Sequence, residues 1–168
     1  MDGDGADLPV GEVGRVLVRG TSIIAEYWRR PDKKDDWTAD GWFDTGDLGR
    51  FDEDGYLWLV GRSKDLIITG GYNVYPREVE IQIEAFPGVA EAVVFGVPHP
   101  DFGEGVMAAV KSESAGSLDL DALSNYLAGL LAKYKQPKKI ILRDEFLRNQ
   151  MSKILKQELQ KEYADTFA

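Results

Sequence analysis

The chain of 168 residues contains no cysteine and a single histidine, His99. The lack of cysteine excludes disulfides, cysteine-based zinc sites, iron–sulfur clusters and cysteine nucleophiles. One histidine excludes a site built from several histidines and argues against a Ser-His-Asp triad. We therefore expect no metal ligands in this chain.

Long apolar runs are also missing. No segment approaches the ~18 consecutive apolar residues that a membrane-spanning helix needs. The acidic start, Met1-Asp2-Gly3-Asp4, is unlike a signal peptide or a mitochondrial leader. We therefore expect no membrane span and a cytoplasmic location. With 43% hydrophobic and 29% charged residues, the composition favours a folded core over a disordered tail.

Positive charge is in the minority, with 20 Lys and Arg against 29 Asp and Glu and a net charge of −9. An acidic chain is a poor general binder of polyanions, so no nucleic-acid partner is expected. The bases concentrate in residues 133–161, the basic segment, which holds nine bases and three acids. Two interpretations stay open: a solvated helix face, which charge alone favours, or a surface for one small phosphorylated ligand.

Residues 1–60 have the pattern of a β-rich unit. A strand is predicted at 13–18, and the Asp54-Gly55 pair between apolar residues 48–51 and 56–60 predicts a hairpin. The charged stretch 29–36 contains Pro31 and is predicted to be an exposed loop.

Residues 61–168 alternate strands and helices. Strands are predicted at 66–68, 89–97, 106–111 and 138–143, and helices at 76–86, 118–133 and 153–163, with a glycine turn at 70–71 and a loop at 114–117. Pro98 is expected to end the second of these strands. Because the alternation is not a strict βαβ series, the predicted class is α+β. Composition and periodicity change at Gly61-Arg62, which sets the predicted domains at 1–60 and 61–168.

Two segments suggest contacts with a phosphorylated sugar. Asp47 is the last residue of the motif Gly41-Trp42-Phe43-Asp44-Thr45-Gly46-Asp47, which is predicted to form a turn. Its carboxylate could accept hydrogen bonds from both hydroxyls of a ribose. The alternative, which the spacing favours, is a turn whose aspartate caps its own backbone. Arg62 could donate to phosphate or sugar oxygens. Gly70 and Gly71 would let backbone approach a ligand closely, or form an ordinary glycine turn.

A third segment, Arg148-Asn149-Gln150-Met151-Ser152-Lys153, places a lysine at a predicted helix start after a polar loop. Taken alone, Lys153 has the pattern of a solvated surface charge.

These segments belong to a longer ordered series. In chain order the motifs are Gly11-Glu12-Val13-Gly14, Gly41-Trp42-Phe43-Asp44-Thr45-Gly46-Asp47, Gly61-Arg62-Ser63-Lys64-Asp65, Gly70-Gly71-Tyr72-Asn73-Val74-Tyr75-Pro76-Arg77-Glu78-Val79-Glu80, Gly96-Val97-Pro98, Tyr134-Lys135-Gln136-Pro137-Lys138 and Arg148-Asn149-Gln150-Met151-Ser152-Lys153. With them the sequence resembles the adenylate-forming acyl-CoA synthetase superfamily, which also contains luciferases and the adenylation domains of peptide synthetases. Residues 70–76 and 97–105 are most similar to malonyl-CoA synthetases.

The resemblance implies a two-step reaction of a carboxylic acid, malonate or a fatty acid, with ATP and then coenzyme A. A carboxylate attacks the α-phosphorus of ATP to give an acyl-adenylate and pyrophosphate, and the thiol of coenzyme A then displaces AMP. It further implies that Asp47 and Arg62 contact the ribose, and that Lys153 bridges the substrate carboxylate and the α-phosphate. Mg²⁺ is implied by ATP chemistry, with its ligands mostly outside this chain.

The resemblance also implies a mobile C-terminal part. Residues 61–168 would be a small lid domain with a short sheet and helices, preceded by a β-rich remnant of the large N-terminal domain. Lys64 matches the hinge position, after which the lid rotates between the two half-reactions. In the rotated state Gly70, Gly71 and Tyr72 would line the tunnel for the pantetheine arm of coenzyme A, while Lys153 leaves the site.

Two residues depart from the superfamily pattern around the lysine. Leu147 replaces a proline that stiffens the loop, and Ser152 replaces a glycine that lets it turn tightly. A positive φ at Ser152 would cost about 1–2 kcal/mol.

The Ser/Thr/Gly-rich phosphate loop and the acyl pocket of the superfamily are missing from the sequence. We therefore expect a C-terminal fragment of an acid–CoA ligase that has no activity alone and depends on an N-terminal domain. Two alternatives stay open, a non-catalytic module that binds a nucleotide or coenzyme A, and the adenylation end of a peptide synthetase.

Overall fold

The computed structural model describes residue 1, residues 5–114 and residues 118–168. Its chain divides into two compact units, unit 1 at Met1–Lys64 and unit 2 at Asp65–Ala168. The sequence places the boundary at Gly61-Arg62 instead, but these residues complete a strand of unit 1. The loop predicted at 114–117 falls, apart from Ser114, outside the described residues.

Unit 1 is built on a three-stranded antiparallel sheet with the order β1-β2-β3. The strands are β1 (Gly14–Val18), β2 (Phe43–Phe51) and β3 (Leu57–Arg62). The predicted strand at 13–18 and the predicted hairpin are confirmed. The stretch predicted to be a loop contains a short 3₁₀ helix, Pro31–Asp36, which begins at the proline because its fixed φ suits a first helical position.

The β2–β3 turn is organised by the carboxylate of Asp52. One oxygen accepts hydrogen bonds from the backbone N–H groups of Asp54 (3.1 Å) and Tyr56 (2.8 Å), and the other accepts from the indole of Trp58 at 2.6 Å. Gly55 takes the positive φ of 82° that the turn needs. These hydrogen bonds hold the pKa of Asp52 below its usual value, and the bond from the Trp58 indole has the largest effect.

Unit 2 combines a five-stranded sheet with three helices. The strands are β4 (Ile67–Thr69), β5 (Tyr72–Val74), β6 (Val89–His99), β7 (Gly103–Ser112) and β8 (Lys139–Leu142), and the helices are α1 (Pro76–Glu84), α2 (Leu120–Leu130) and α3 (Lys156–Glu162). The strand order is β5-β4-β7-β6, and β8 pairs with β7 in parallel while the other pairs are antiparallel. The predicted α+β class is confirmed. Within the described residues, no helix has the length and apolar character to cross a membrane.

Both faces of the unit 2 sheet are covered, which explains the continuous apolar runs in β6 and β7. On one face, Val94 and Val106 pack with Val79 of α1 and Leu123 of α2. On the other face, Phe95 packs with Met107 of β7, with Leu159 of α3 and with Phe146. Strands buried on both faces lose the apolar–polar alternation that marks a half-exposed strand.

Two predictions for unit 2 are wrong in detail, and one strand was missed. Strand β5 was not predicted, because three residues after a glycine pair give too short a pattern. Pro98 lies inside β6 rather than ending it, and β6 is an edge strand, where proline is tolerated. The last helix begins at Lys156, three residues after the predicted start at Lys153, because Ile154 forms a β-bridge with Arg148 and the N–H of Leu155 donates to the carbonyl of Leu147.

The open edge of β6 is closed by side chains. The N–H of Val94 donates to a carboxylate oxygen of Glu80 at 3.0 Å, and the ammonium of Lys156 donates to the same oxygen at 2.7 Å and to the carbonyl of Val94 at 3.1 Å. Gln160 donates to the carbonyl of Gly96 at 3.2 Å. Helices α1 and α3 thereby satisfy backbone groups that an edge strand leaves unpaired.

We predict that Glu80→Ala destabilises unit 2 by about 2–3 kcal/mol, because it leaves Lys156 and the buried Val94 N–H without their acceptor. Glu84→Ala is the matched control on the same helix, since Glu84 forms a more exposed pair with Arg77 and should cost less than about 1 kcal/mol. Urea unfolding followed by methyl NMR of unit 2 measures both. Equal losses in the two variants would contradict the assignment.

We also predict a pH dependence of the β2–β3 turn. Because folding lowers the pKa of Asp52, its stabilising effect is complete above the ordinary value of 3.8 and is lost as the pH falls through the lowered pKa. The indole N–H resonance of Trp58 should move with a midpoint below 3.8 in an NMR titration. Asp52→Asn should abolish this titration, whereas Asp54→Asn in the same turn should retain it.

Candidate functional site

The predicted turn at Thr45-Gly46-Asp47 is a bulge inside β2. The register of β1 and β2 shifts there, so that three residues of β2 oppose Val16 alone. The Thr45 hydroxyl donates to the Val16 carbonyl at 2.9 Å, and Gly46 takes a φ of 72°, which glycine adopts without strain. A bulge changes the direction of the side chains that follow it. Here Asp47 is the last residue of the bulge.

Asp47 lies opposite Arg62 on the neighbouring strand. Their Cα atoms are register partners, and Arg62 Nε lies 2.7 Å from Asp47 Oδ1 in an ion pair. The Asp47 side chain is 25% exposed and that of Arg62 is 49% exposed, so both remain open to solvent. The backbone-capping role weighed for Asp47 belongs instead to Asp44, which accepts from the N–H of Gly46 at 2.8 Å.

The pair has unused hydrogen-bonding capacity. A carboxylate offers two acceptor oxygens and a guanidinium five N–H donors, and their ion pair brings together one oxygen and one nitrogen. The arrangement can therefore accept hydrogen bonds from hydroxyls on one side and donate to anionic oxygens on the other.

A groove of unit 1 runs past Arg62 and Lys64. Its volume is about 380 Å³, and Phe43, Thr45 and Gly46 also line it. Ligand pockets have volumes of roughly 300–1,000 Å³. Two larger cavities of unit 1, of about 680 and 580 Å³, include neither Arg62 nor Lys64 in their walls. The smaller groove is lined by Arg62 and Lys64, two of the predicted site residues, whereas Asp47 is not among its lining residues.

Lys64 is exposed and lies in a short 3₁₀ turn, Ser63–Asp65. The hydroxyl of Ser63 donates to the carbonyl of Gly46 at 3.2 Å, which holds the start of this turn against β2. The boundary between the two compact units falls directly after Lys64.

Gly70 and Gly71 form the turn of the β4–β5 hairpin in unit 2. Both have positive φ, 57° and 82°, and Gly70 N–H donates to the carbonyl of Phe102 at 2.9 Å. Tyr72, the first residue of β5, is 58% exposed. Its ring stacks on Tyr134, with centroids 4.6 Å apart and an interplanar angle of 22°. The hairpin thus presents bare backbone beside an exposed aromatic pair.

Charged groups support this aromatic pair. Lys135 donates to Glu78 at 2.9 Å. Burial lowers the pKa of Lys135, but the hydrogen bond and charge of Glu78 outweigh it and the pKa is raised overall. Burial also raises the pKa of the nearby Tyr75, and the charge of Glu78 acts in the same direction. Lys135 is therefore an ammonium and Tyr75 a neutral phenol at neutral pH.

Lys153 is exposed and lies in a loop that we call the Lys153 loop, residues 148–154. The loop is closed by a β-bridge between Arg148 and Ile154. Ser152 has a positive φ of 61°. This conformation costs about 1 kcal/mol for a residue other than glycine. The loop therefore presents Lys153 from a defined backbone rather than from a helix start.

Most of the basic segment is neutralised locally. Five of its nine bases form ion pairs with acids, namely Lys135–Glu78, Arg143–Glu162, Arg148–Glu91, Lys156–Glu80 and Lys161–Glu158. Among the ion pairs found in the described residues, none involves Lys153. No group of three or more His, Asp or Glu side chains in the described part of the chain is placed to hold a metal ion.

Sequence reasoning brought out Asp47, Arg62 and Lys153 but missed the residues that support them. Glu91, which binds Arg148 of the Lys153 loop, has no local signal of its role. Asn149 stands in the same motif as Lys153, but the motif does not show which backbone groups its side chain binds. The partner of Tyr72 was hidden as well, because Tyr134 is 62 positions away in the sequence. Only its place at the start of the second-to-last motif, before Lys135, marks it.

Comparison with known proteins agrees with this structure. Residues 78–153 match the family model of the AMP-binding enzyme C-terminal domain. A long-chain-fatty-acid–CoA ligase of Yersinia pestis is 42% identical over 161 residues, which are 96% of this chain and 28% of the relative. The chain spans about a third or less of each relative described here.

Two solved structures extend the match to the fold. ATP-bound MatB from Rhodopseudomonas palustris is 46% identical, with a TM-score of 0.93 over 99% of this chain and 33% of MatB. The o-succinylbenzoate CoA synthetase MenE of Bacillus subtilis, in complex with the acyl-adenylate intermediate OSB-AMP, is 35% identical, with a TM-score of 0.87 over 94% of this chain and 32% of MenE. The resemblance to the adenylate-forming acyl-CoA synthetase superfamily is thereby confirmed, and residues 78–153 belong to the AMP-binding enzyme C-terminal domain family.

Proposed function

We propose that this chain works as the C-terminal part of an ATP-dependent carboxylic acid–CoA ligase. The observation that carries the proposal is the exposed Lys153, presented by a hydrogen-bonded loop at the end of the matched family segment. The acid is first joined to AMP, with release of pyrophosphate, and the acyl group then passes to the thiol of coenzyme A, with release of AMP.

In this proposal Asp47 and Arg62 hold the nucleotide. The carboxylate of Asp47 accepts hydrogen bonds from the ribose hydroxyls, and Arg62 donates to the same sugar. The distance of 2.7 Å between Arg62 Nε and Asp47 Oδ1 supports the assignment, because two groups that bind one ribose must lie side by side. The groove past Arg62 and Lys64 gives the ligand a place next to the pair.

Lys153 lowers the barrier to adenylation. Two anions, the substrate carboxylate and the α-phosphate, must approach each other, and negative charge grows on the phosphoryl oxygens as the bond forms. One ammonium between them offsets both effects. A lysine suits this task because it is a compact point charge on a flexible stem.

The second half-reaction uses a different part of unit 2. Gly70 and Gly71 let the pantetheine arm pass close to the backbone, and Tyr72 contacts it with an aromatic face. Lys64 is the hinge. The position of the unit boundary directly after Lys64 supports this role, since a change of a few backbone dihedrals there would turn unit 2 as one body.

The acid belongs to the malonate or fatty-acid class. The relatives described above are named for different acids, long-chain fatty acids and o-succinylbenzoate. The 168 residues therefore supply the chemistry that these ligases share, and a pocket outside these residues selects the acid. Mg²⁺ enters with ATP as part of the substrate complex and is held mostly by residues outside this chain. The cytoplasmic location remains a prediction from the sequence.

We predict that Lys153→Ala, in a full-length ligase that ends in this chain, lowers adenylation by about 100-fold or more. Thioester formation from preformed acyl-adenylate should be unaffected, because the ammonium is not used in that step. Pyrophosphate exchange measures the first step and acyl-CoA production from acyl-adenylate the second. Lys133→Ala, at another exposed lysine of the basic segment, is the control. Equal loss of both half-reactions would contradict the role of Lys153.

We also predict that the purified 168-residue chain forms no acyl-CoA from acid, ATP and coenzyme A. Turnover at a rate typical of enzymes, about 1 per second or more, would show that the chain carries an acyl pocket and a phosphate site of its own. The assay follows AMP release and acyl-CoA by chromatography.

A further inference from the structure

The shape of the Lys153 loop depends on one residue, Asn149. Its side-chain oxygen accepts hydrogen bonds from the N–H groups of Met151 at 2.9 Å and of Lys153 at 3.0 Å. Its own N–H donates to the carbonyl of Lys153 at 2.9 Å, and its carbonyl accepts from Ser152 N–H at 2.9 Å. Asn149 therefore makes four hydrogen bonds to the three residues that end at the lysine.

The same loop is fastened to the edge of the sheet. Arg148 donates to both carboxylate oxygens of Glu91 on β6, at 2.6 and 2.5 Å, and to the carbonyl of Ser152 at 2.9 Å. Just outside the loop, the N–H of Leu155 donates to the carbonyl of Leu147 at 2.9 Å. Arg148 thus joins the positive-φ residue of the loop to a rigid strand.

We propose that Asn149 is a positioning residue for Lys153, and that Arg148 and Glu91 fix the loop to β6. This inference rests on the proposed role of Lys153 in adenylation. Asn149 makes no contact with the reacting atoms in this proposal, and its effect passes through the backbone of the lysine.

The local sequence explains why positioning is needed. Leu147 is 65% exposed, in the place of a stiffening proline, and Ser152 adopts a left-handed conformation that is strained for any residue except glycine. Two of the four bonds, from the N–H groups of Met151 and Lys153, are accepted by the Asn149 side chain. Without these two bonds the strained turn would relax and the Lys153 Cα would move. A displacement of about 1 Å at a reacting group can cost roughly 100-fold in rate.

The test compares four variants of a full-length ligase that ends in this chain: Asn149→Ala, Asn149→Asp, Glu91→Gln and Lys153→Ala. Asp at 149 keeps an oxygen in the acceptor position, so it is the matched control for the hydrogen bonds. Glu91→Gln weakens the anchor of Arg148 without changing the loop sequence. Adenylation and thioester formation are measured separately, and hydrogen exchange is measured for the Lys153 loop.

We expect Asn149→Ala to slow adenylation by about 10- to 100-fold and to leave thioester formation from preformed acyl-adenylate unchanged. Asn149→Asp should recover most of the lost rate, and Glu91→Gln should show a smaller loss in adenylation alone. Amide exchange in the loop should be faster in Asn149→Ala than in Asn149→Asp, because the Lys153 N–H loses its acceptor.

The possible failures point to different assumptions. If Lys153→Ala abolishes adenylation while Asn149→Ala leaves it unchanged, or lowers both half-reactions equally, the positioning role is overturned and the proposed function stands. If Lys153→Ala leaves adenylation intact, the proposed function fails and the positioning role with it. Unchanged loop exchange in Asn149→Ala would also overturn the positioning role.

Discussion

The stability of unit 2 depends on how the β6 edge of its sheet is covered. Within the described residues, β6 pairs with a strand on one side only, and Val94 at its centre is fully buried. Its outward N–H and carbonyl would be unpaired and far from water, a cost of about 1–3 kcal/mol for each buried group without a partner. The carboxylate of Glu80 and the ammonium of Lys156 satisfy both groups and each other. One ion pair therefore closes the sheet and fastens a helix on each of its faces.

The same edge also carries the loop that matters for the proposed chemistry. Glu91, Val94 and Gly96 follow one another along β6, and they bind Arg148, Lys156 and Gln160 respectively. The segment around Lys153 is thus attached to the strand before and after the lysine. A lysine with the sequence pattern of a solvated charge is therefore attached, through its neighbours, to the largely buried strand β6, while its side chain remains exposed.

The sequence predicted the features that rest on local chemistry. The Asp54-Gly55 hairpin and the helix beginning at Pro76 depend on turn and capping preferences within a few residues, and the structure confirms both. The predicted start of α3 was wrong, because Ile154 is bridged to Arg148 and Ser152 forms hydrogen bonds with Asn149 and Arg148, contacts that a helical sequence pattern does not show. The pairing of Asp47 with Arg62 requires the bulge in β2 and the register of β3, which depend on contacts between distant segments. Residue types could indicate these two as candidates but could not show them adjacent.

The division of the chain has a practical consequence for its aromatic residues. All four tryptophans, Trp28, Trp37, Trp42 and Trp58, lie in unit 1, and the sequence of unit 2 contains none. Fluorescence excited selectively at indole therefore reports on the first unit alone, and unit 2 contributes only tyrosine emission. The natural chain already carries a spectroscopic label that can separate the melting of one half from that of the other.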